Sequence, residues 1–377
     1  MGEFIPVCAP VMWGNEKKYV NQALDSGWIS STGEYVKRFE DDFAAYCGVK
    51  FATSTPNGTQ AIHLMLVAAG VKKGDEVILP NFTMAGSLFP ILYCGAKPVF
   101  VDIEADTYNI DPKKIEEKIT SKTKVIMPVH IFGHPVDMTP IQAIAEKYKL
   151  MLLEDAAESH GALYFGKKAG GIGLSGAFSF FANKVIATGE GGMVVTDDKD
   201  FYDRLCYFKN LCFKHNGPRD YWHEDTGFNY RFNNLQAAIG VAQLEKIEDY
   251  IQARRINGAF YLEHLNNIKG ITLQSERSNC RSVYWMNSVL IDPKIHKKTI
   301  YQIMADLKAE GIETRELFKP MHQQGCLKKE GWSYEGQQYP VTENLSKNGL
   351  YLPSGSGLTH SDRERVVLAF SRSLKTV

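Results

Sequence analysis

The chain has 377 residues, which is more than one ordinary core supports, so we expect a large domain and a second, smaller one. Its 43 basic and 43 acidic residues cancel, and 44% of the residues are hydrophobic. This composition is typical of a globular protein and excludes a global electrostatic field that would attract nucleic acid or an anionic membrane.

The N-terminal segment lacks a basic region followed by an apolar run, and no stretch approaches ~18 uninterrupted apolar residues. We therefore expect neither a signal peptide nor a membrane-spanning helix. The seven cysteines are scattered and never spaced as C-x-x-C, which argues against a disulfide framework or a zinc site. Together these features predict a protein of the cytoplasm that holds no metal ion.

Short apolar runs alternate with helical patterns from about residue 50 to residue 198. The runs are GDEVILP, KPVFVDI, TKVIMPVHIFG, LMLLEDAAE, GAFSFF and GMVVTD. The pieces between them are amphipathic, and one apolar stripe consists of Ile62, Met65, Leu66 and Ala69. Strands that alternate with helices predict crossover connections and a mostly parallel sheet covered by helices on both faces.

The pattern changes in the last third of the chain. Residues 235–265 predict one or two long helices, and the runs ITLQ and VYWMNSVLI precede a further helix near IYQIMADLKAEGI. We therefore expect a large domain over residues 1–249 and a smaller α+β domain over residues 250–377. The predicted fold class is α/β, with a mostly parallel sheet sandwiched by helices.

The segment STPNGTQAIHLML predicts a strand end, a turn and the start of a helix. Gly58 would let the backbone approach a ligand closely, and Thr59 would cap the helix. Free N–H groups and the helix dipole at such a start favour an anion such as phosphate. An ordinary turn and cap is the alternative, and this segment alone does not decide between them.

The segment LMLLEDAAESHGA predicts an apolar strand that ends in Glu154 and Asp155. Ligands in an open α/β sheet lie outside the carboxyl ends of the strands, so one of these carboxylates should face a site. A cap for the following helix is an equally good interpretation.

The segment GAFSFFANKVIATGEGGMVV is the most informative, because a strand leads through Ser179 to Lys184 and a glycine-rich run follows. A surface lysine at a strand end is the alternative for Lys184 by itself. Burial would lower the pKa of its amine, and such an amine forms Schiff bases. The three segments together offer a phosphate cradle, a carboxylate and an amine, which are the groups that pyridoxal 5′-phosphate (PLP) requires.

Seven motifs in a fixed order resemble the DegT/DnrJ/EryC1/StrS family of sugar aminotransferases, which are fold-type I PLP enzymes. They cover nearly the whole chain and are WISSTG, NGTQAIHL, GDEVILPNFTM, AKPVFVDIEADTYNID, EDAAESHGA, SFFANKVIATGEGG and GFNYRFNNLQAAIG. The resemblance implies that PLP and its aminated form PMP carry an amino group from L-glutamate to a nucleotide-linked keto-sugar. It also implies a homodimer with shared active sites.

The resemblance assigns roles to the matching residues in the cofactor site. Lys184 would bind the aldehyde of PLP, and Asp155 would pair with the pyridine nitrogen. The phosphate would be held by Gly58, Thr59 and Ser179.

Three further matches belong to the same predicted site. Asn229 would reach the phosphate in the partner subunit of the dimer. Met84 stands where many relatives place an aromatic residue over the cofactor ring. Glu158 stands where many relatives have Gln or His near the 3-oxygen of PLP, and the sequence leaves its role open.

Candidate substrate-binding residues lie in the motifs WISSTG and GFNYRFNNLQAAIG and in one predicted loop. Trp28, Ser30 and Ser31 belong to a Gly/Ser-rich turn, Arg231 follows the predicted phosphate-binding loop, and His322 lies in a predicted loop. A purely structural role in a loop is the alternative for each turn or loop residue and is the preferred interpretation.

Within the family, the opening segment PVMWGNEKKYVNQALDSGWISS, Met84 and the EDAAES variant resemble members that aminate carbon 4 of GDP-4-keto-6-deoxy-mannose to give GDP-perosamine. One alternative is an aminotransferase for a dTDP- or UDP-linked keto-sugar. A PMP-dependent 3-dehydratase is another, but such relatives carry histidine at the position of Lys184. A regulator that kept the fold is a third alternative, which the presence of Lys184 and Asp155 disfavours.

Overall fold

The protein is described here by a computed structural model that covers residues 3–213 and 221–375. The α-helices in these residues are α1 (Glu16–Asp25), α2 (Glu34–Cys47), α3 (Gly58–Ala68), α4 (Ala85–Tyr93), α5 (Met138–Tyr148), α6 (Lys199–Lys209), α7 (Asn234–Leu244), α8 (Ile247–Leu265), α9 (Ile300–Ala309), α10 (Gly325–Lys329), α11 (Pro340–Asn348) and α12 (His360–Ser373). Short 3-10 helices span Pro112–Lys114, Glu116–Lys118, Ile131–Gly133 and Met321–Gln323. No helix within residues 3–213 and 221–375 is both long and apolar enough to cross a membrane.

The strands of the same residues belong to three sheets. They are β1 (Phe51–Thr55), β2 (Glu76–Pro80), β3 (Lys97–Val101), β4 (Thr123–Ile126), β5 (Met151–Asp155), β6 (Leu163–Tyr164), β7 (Lys167–Lys168), β8 (Ser175–Ser179), β9 (Gly192–Thr196), β10 (Ile271–Leu273), β11 (Cys280–Arg281), β12 (Asn287–Ile291), β13 (Arg315–Glu316) and β14 (Gly349–Leu352).

The main sheet that the described residues form has the strand order β1-β9-β8-β5-β4-β2-β3. Its strands run parallel except for β9, which pairs antiparallel with β1 and β8. Strands β2, β8 and β9 are buried at every residue, as expected for strands covered on both faces. This arrangement confirms the predicted α/β fold class, and each predicted apolar run contributes a strand.

Helices cover the main sheet on both faces. Phe178 of β8 packs edge-on against Phe43 of α2, with 5.0 Å between ring centroids, in a core that also contains residues of α7 and α8. Its neighbour Ala177 belongs to a second core, together with Leu64 of α3 and Leu88 of α4. Successive strand residues point to opposite faces, so one short strand stabilises both layers.

A smaller antiparallel sheet follows in the order β10-β12-β14-β13, and its core includes residues of α8, α9 and α12. Helix α8 spans Ile247–Leu265 without a break, so the predicted domain boundary after residue 249 falls inside a helix. Ile5 from the N-terminal segment packs into this C-terminal core and bridges to Ile312. The division into residues 1–249 and 250–377 therefore stays a prediction.

The two carboxylates at the end of β5 have different surroundings. Glu154 accepts hydrogen bonds from the backbone N–H groups of Gly170 (2.8 Å), Ile172 (2.7 Å) and Gly173 (2.6 Å), and its Oε2 lies 2.9 Å from Nε2 of His130. It is fully buried and ties the loop before β8 to the sheet. Asp155 is therefore the carboxylate that remains for a ligand.

Replacing Glu154 with Gln should lower the free energy of unfolding by about 2–3 kcal/mol, because an amide offers one acceptor oxygen and turns an NH₂ donor toward backbone donors. Denaturant titration of both proteins measures the change. Glu117→Gln is the control, because the Glu117 side chain is exposed, and its stability should stay within about 0.5 kcal/mol of wild type. Equal stabilities of Glu154→Gln and wild type would contradict the role of Glu154.

Candidate active site

A cavity of about 600 Å³ lies where the carboxyl ends of β1, β5 and β8 meet. Because β1, β5 and β8 share one direction, the segments that follow these three strands converge at one edge of the sheet. The cavity lining includes seven of the eight predicted cofactor-binding residues, namely Gly58, Thr59, Met84, Asp155, Glu158, Ser179 and Lys184.

The first turn of α3 forms one wall of the cavity. The helix begins at Gly58, and the side chain of Asn57 accepts a hydrogen bond from the N–H of Gln60 at 2.9 Å. Asn57 therefore caps the helix, and the prediction that Thr59 is the cap was wrong because the helix begins two residues earlier than predicted. The first N–H groups of a helix have no intrahelical acceptor and favour an anion.

Gly58 is required at this wall by close packing. A Cβ atom on Gly58 would lie 2.7 Å from Cβ of Ser179, closer than side-chain atoms approach each other. The absence of a side chain brings the start of α3 against the end of β8. The backbone of Gly58, the hydroxyl of Thr59 and the hydroxyl of Ser179 thus face one small volume that suits a phosphate group.

Asp155 lies at the floor of the cavity and is buried. Its Oδ2 accepts a hydrogen bond from the hydroxyl of Ser87 at 2.6 Å, and its Oδ1 accepts one from the N–H of Ala157 at 3.1 Å. Burial raises the pKa of this carboxyl, while the hydrogen bond from Ser87 opposes the rise. Each oxygen keeps a second lone pair, so the carboxylate can accept a proton-bearing nitrogen from a ligand.

Lys184 approaches the same volume from the loop after β8. Its Nζ lies 3.8 Å from the centroid of the Trp285 ring and 3.9 Å from Oε1 of Glu158. Burial lowers the pKa of the amine, whereas Glu158 and then Asp155 raise it. The amine is therefore sheltered from water and available as a nucleophile or a base.

Glu158 is buried beside that amine, and its Oε2 accepts a hydrogen bond from the N–H of Phe132 at 2.8 Å. Burial raises the pKa of the carboxyl to about 7, although the charge of Lys184 acts in the opposite direction. Near neutral pH this carboxyl can therefore either hold or release a proton next to Lys184.

The remaining predicted residues lie outside this cavity. Asn229 is exposed and pairs in an isolated bridge with Asn210. Arg231 and Ser31 line a second cavity of about 460 Å³, where Nη1 of Arg231 donates to Oδ1 of Asn210 at 3.1 Å. Asn233 caps α7 by accepting a hydrogen bond from the N–H of Gln236.

The turn that contains Trp28 and Ser30 is fastened to α7. Asn234 donates from Nδ2 to the carbonyl oxygen of Trp28 at 2.6 Å and from its backbone N–H to that of Ser30 at 3.0 Å. The side chains of Trp28 and Ser30 remain exposed. The structure thus places this turn outside the cavity that contains Lys184.

His322 is buried against Asn81 rather than in the cavity. Its backbone N–H donates to Oδ1 of Asn81 at 2.9 Å, its Nε2 lies 3.5 Å from Glu343, and its ring packs against Tyr339. Burial lowers the pKa of the imidazole. These contacts match the structural alternative for His322.

Sequence reasoning missed several residues of the cavity. Trp285 lies about a hundred positions beyond Lys184, inside the apolar run VYWMNSVLI, which indicates burial but not a place beside the lysine. Ser87 follows the FTM motif but looks like any polar residue in a helix. Gln60 and Asn183 each have a buried side-chain oxygen without a partner within the described residues, and both line the cavity.

The residues around the cavity fit PLP. They supply an anion-binding helix start, a buried carboxylate and a buried amine, and the unpartnered amide oxygens of Gln60 and Asn183 leave room for a polar ligand or water. The cavity volume also lies in the usual range for small-molecule sites.

Comparison with known proteins identifies the family. The model of the DegT/DnrJ/EryC1/StrS aminotransferase family matches residues 11–371. A GDP-perosamine synthase of Escherichia coli O157:H7 is 42% identical over 358 residues, which are 95% of each chain. A GDP-perosamine synthase of Caulobacter vibrioides is 42% identical over 371 residues, which are 98% of each chain.

A solved structure shares the fold over nearly its full length. It is a mutant GDP-4-keto-6-deoxymannose-3-dehydratase (ColD) with bound GDP-perosamine, with a TM-score of 0.90 and 29% identity, covering 97% of this chain and 100% of the other. The family model, the two relatives and this structure each match nearly the whole chain. The chain therefore belongs to the DegT/DnrJ/EryC1/StrS aminotransferase family.

Proposed function

We propose that this protein uses PLP to transfer the amino group of L-glutamate to carbon 4 of GDP-4-keto-6-deoxy-mannose, giving GDP-perosamine. The convergence of Lys184, Asp155 and the start of α3 on one cavity carries the proposal of PLP chemistry. The 42% identity to two GDP-perosamine synthases over nearly the whole chain supports this choice of sugar nucleotide.

PLP, when bound, supplies an electron sink that stabilises negative charge on the carbon next to the reacting nitrogen. Lys184 would hold its aldehyde carbon, and Asp155 would hold its pyridine nitrogen. Gly58, Thr59 and Ser179 would hold its phosphate. Gly58 and Thr59 form the start of α3, which favours an anion, and Ser179 lies against it.

Two further cavity residues would contact the cofactor. Met84 lies at the rim, where its Sδ accepts a hydrogen bond from the N–H of Gly86 at 2.7 Å, and its side chain would cover the cofactor ring. Glu158 would face the 3-oxygen and, when protonated, would donate a hydrogen bond to it. The pKa of about 7 supports this role, since a carboxylate facing that oxygen would otherwise repel it.

Lys184 is the residue that moves protons in this proposal. Its free amine takes a proton from the carbon that carries nitrogen in glutamate and later returns a proton to carbon 4 of the sugar. Burial lowers the pKa of this amine and so favours its unprotonated form. One base serves both half-reactions, because glutamate leaves as 2-oxoglutarate before the keto-sugar enters.

The surroundings of the cavity support a homodimer with shared sites. Its rim carries exposed apolar side chains, namely Met84 (53% exposed), Tyr93 (62%) and Phe181 (45%). A second copy that covers this rim would exclude water from Lys184. Asn229, which is exposed and does not line its own cavity, is the residue that would reach the phosphate in the partner's site.

The proposed substrate contacts differ in their support. Arg231 and Ser31 share a cavity in which a guanidinium group suits the diphosphate of a nucleotide sugar. The side chains of Trp28 and Ser30 are exposed and are therefore free to contact a nucleotide sugar. His322 has the weakest support, because its backbone and ring already bind protein groups.

With glutamate as donor, the protein should aminate GDP-4-keto-6-deoxy-mannose with a kcat/KM at least about 10-fold above that for dTDP- or UDP-linked 4-keto-6-deoxy sugars. Mass spectrometry of the products, with initial rates at several concentrations, measures the preference. Lys184→Ala is the matched control and should form no product. A preference for a dTDP or UDP sugar would overturn the substrate and leave the aminotransferase reaction standing.

Glu158→Gln should remove one ionisation near pH 7 from the pH profile of kcat/KM, because glutamine keeps the shape of the side chain but does not titrate. The wild type holds the Glu158 proton below about pH 7 and loses it above, so its rate should fall there while the variant's rate stays level. Rates between pH 5.5 and 9 measure the difference. An unchanged ionisation in the variant would assign it to another group.

Mixing two inactive proteins should restore part of the activity if the sites are shared. Lys184→Ala and an Asn229 variant that has lost PLP binding are combined under conditions of subunit exchange. Each mixed dimer then has one site with both defects and one site with neither, so up to half of its sites should work. Absence of recovery, despite mixed dimers seen by native mass spectrometry, would mean that Asn229 serves its own subunit.

A further inference from the structure

Arg254 on α8 is a buried cation that lies behind the active-site lysine. It is 2% exposed, and its guanidinium donates to carbonyl oxygens rather than to a carboxylate. Nη2 lies 3.0 Å from the carbonyl oxygen of Lys184 and 3.3 Å from that of Asn183, and Nη1 lies 2.7 Å from that of Trp285. Within residues 3–213 and 221–375, no ion pair neutralises Arg254.

The same peptide groups are held from other directions. Nε1 of Trp285 donates to the carbonyl oxygen of Asn183 at 2.8 Å, and Sγ of Cys8 donates to it at 3.3 Å. The ring of Trp285 meanwhile lies 3.8 Å from Nζ of Lys184. Arg254 and Trp285 therefore fix both ends of Lys184, its backbone and its amine, to the C-terminal part of the fold.

A buried charge without a counterion is expensive, so its retention calls for a reason beyond stability. The charge of Arg254 acts on the amine of Lys184 and lowers its pKa, in addition to the larger effect of burial. The opposing groups that face the amine are Glu158, Asp155 and the thiol of Cys8. His160 also lies nearby but stays neutral, because burial lowers the pKa of its imidazole to about 3.

We propose that Arg254 is a positioning residue that fixes the peptide groups of Asn183 and Lys184 against Trp285 and places a permanent positive charge next to the active-site lysine. The role follows from arginine geometry, because a planar guanidinium binds several carbonyl oxygens at once and keeps its charge at every relevant pH. It rests on the function of Lys184 proposed above and adds a residue that does not contact the substrate.

The test compares full-length, PLP-loaded wild type with Arg254→Gln, Arg254→Lys and Arg255→Gln. Arg255 is the control, because it neighbours Arg254 on α8 but pairs with Glu276 at 2.7 Å. The pH at which the visible absorbance of each protein changes reports proton loss at the lysine nitrogen. A nearby positive charge disfavours protonation, so Arg254→Gln should raise this pH by roughly one unit, while Arg254→Lys and Arg255→Gln leave it near the wild-type value.

Steady-state rates distinguish the positioning effect of the Arg254 side chain from the effect of its charge. Arg254→Gln and Arg254→Lys should both lower kcat by about 10-fold with little change in the KM for glutamate, because neither side chain reproduces the fork that holds two adjacent carbonyl groups. Arg255→Gln should keep its kcat. Unfolding midpoints of all four proteins are measured in parallel, so that a general loss of stability is recognised.

An Arg254→Gln protein whose absorbance transition stays at the wild-type pH would overturn the inference, since a structural role alone lowers stability without moving this transition. Should Arg254→Gln fail to fold, a wild-type kcat in Arg254→Lys would overturn it as well. Borohydride reduction of the wild type, followed by peptide mapping, keeps the two proposals apart. A label on a lysine other than Lys184 would contradict the proposed cofactor site itself.

Discussion

The removal of the Lys184 amine from water is the constraint on which the rest of the site depends. Burial destabilises the ammonium form, and the surrounding groups limit that cost without removing it. The ring of Trp285 offers its negative face to the amine, and Glu158 lies opposite. Burial also raises the pKa of the Glu158 carboxyl to about 7, so the charge beside the amine changes with pH near neutrality.

Parallel strands bring this amine to its partners. Thr55, Asp155 and Ser179 end three strands of one direction, so segments separated by about a hundred residues meet at one edge. The close approach of Gly58 to Ser179 then fixes the start of α3 over the end of β8. The parallel topology places the strand ends at one edge of the sheet, and the small residue Gly58 allows the start of α3 to approach the end of β8.

The C-terminal part of the chain completes a site that the main sheet begins. Arg254 and Trp285 bind the loop of Lys184, and Cys8 of the N-terminal segment contacts both Arg254 and this loop. The N-terminal segment and α8 therefore both contact the loop that carries Lys184. Helix α8 runs without a break across the predicted boundary and contributes residues to both cores.

The sequence by itself determined the strand and helix order, the parallel sheet and the segment that carries the lysine, because these depend on local hydrophobic periodicity and on motifs of neighbouring residues. Local pattern alone did not distinguish Glu154 from Asp155, and only the family resemblance assigned Asp155 to the cofactor. The tertiary structure gives the physical reason, since alternation along β5 turns Glu154 toward the loop at residues 170–173 and Asp155 toward the cavity.

Nothing in the local sequence marked Trp285 or Arg254 as a residue of the site. A tryptophan in an apolar run and an arginine in a helix look the same wherever the fold places them. Their contacts with Lys184 join residues 70 to 101 positions apart, and they arise from the packing of α8 and the C-terminal part of the chain behind the main sheet. Local pattern reports which element a residue belongs to, and long-range packing decides what that element faces.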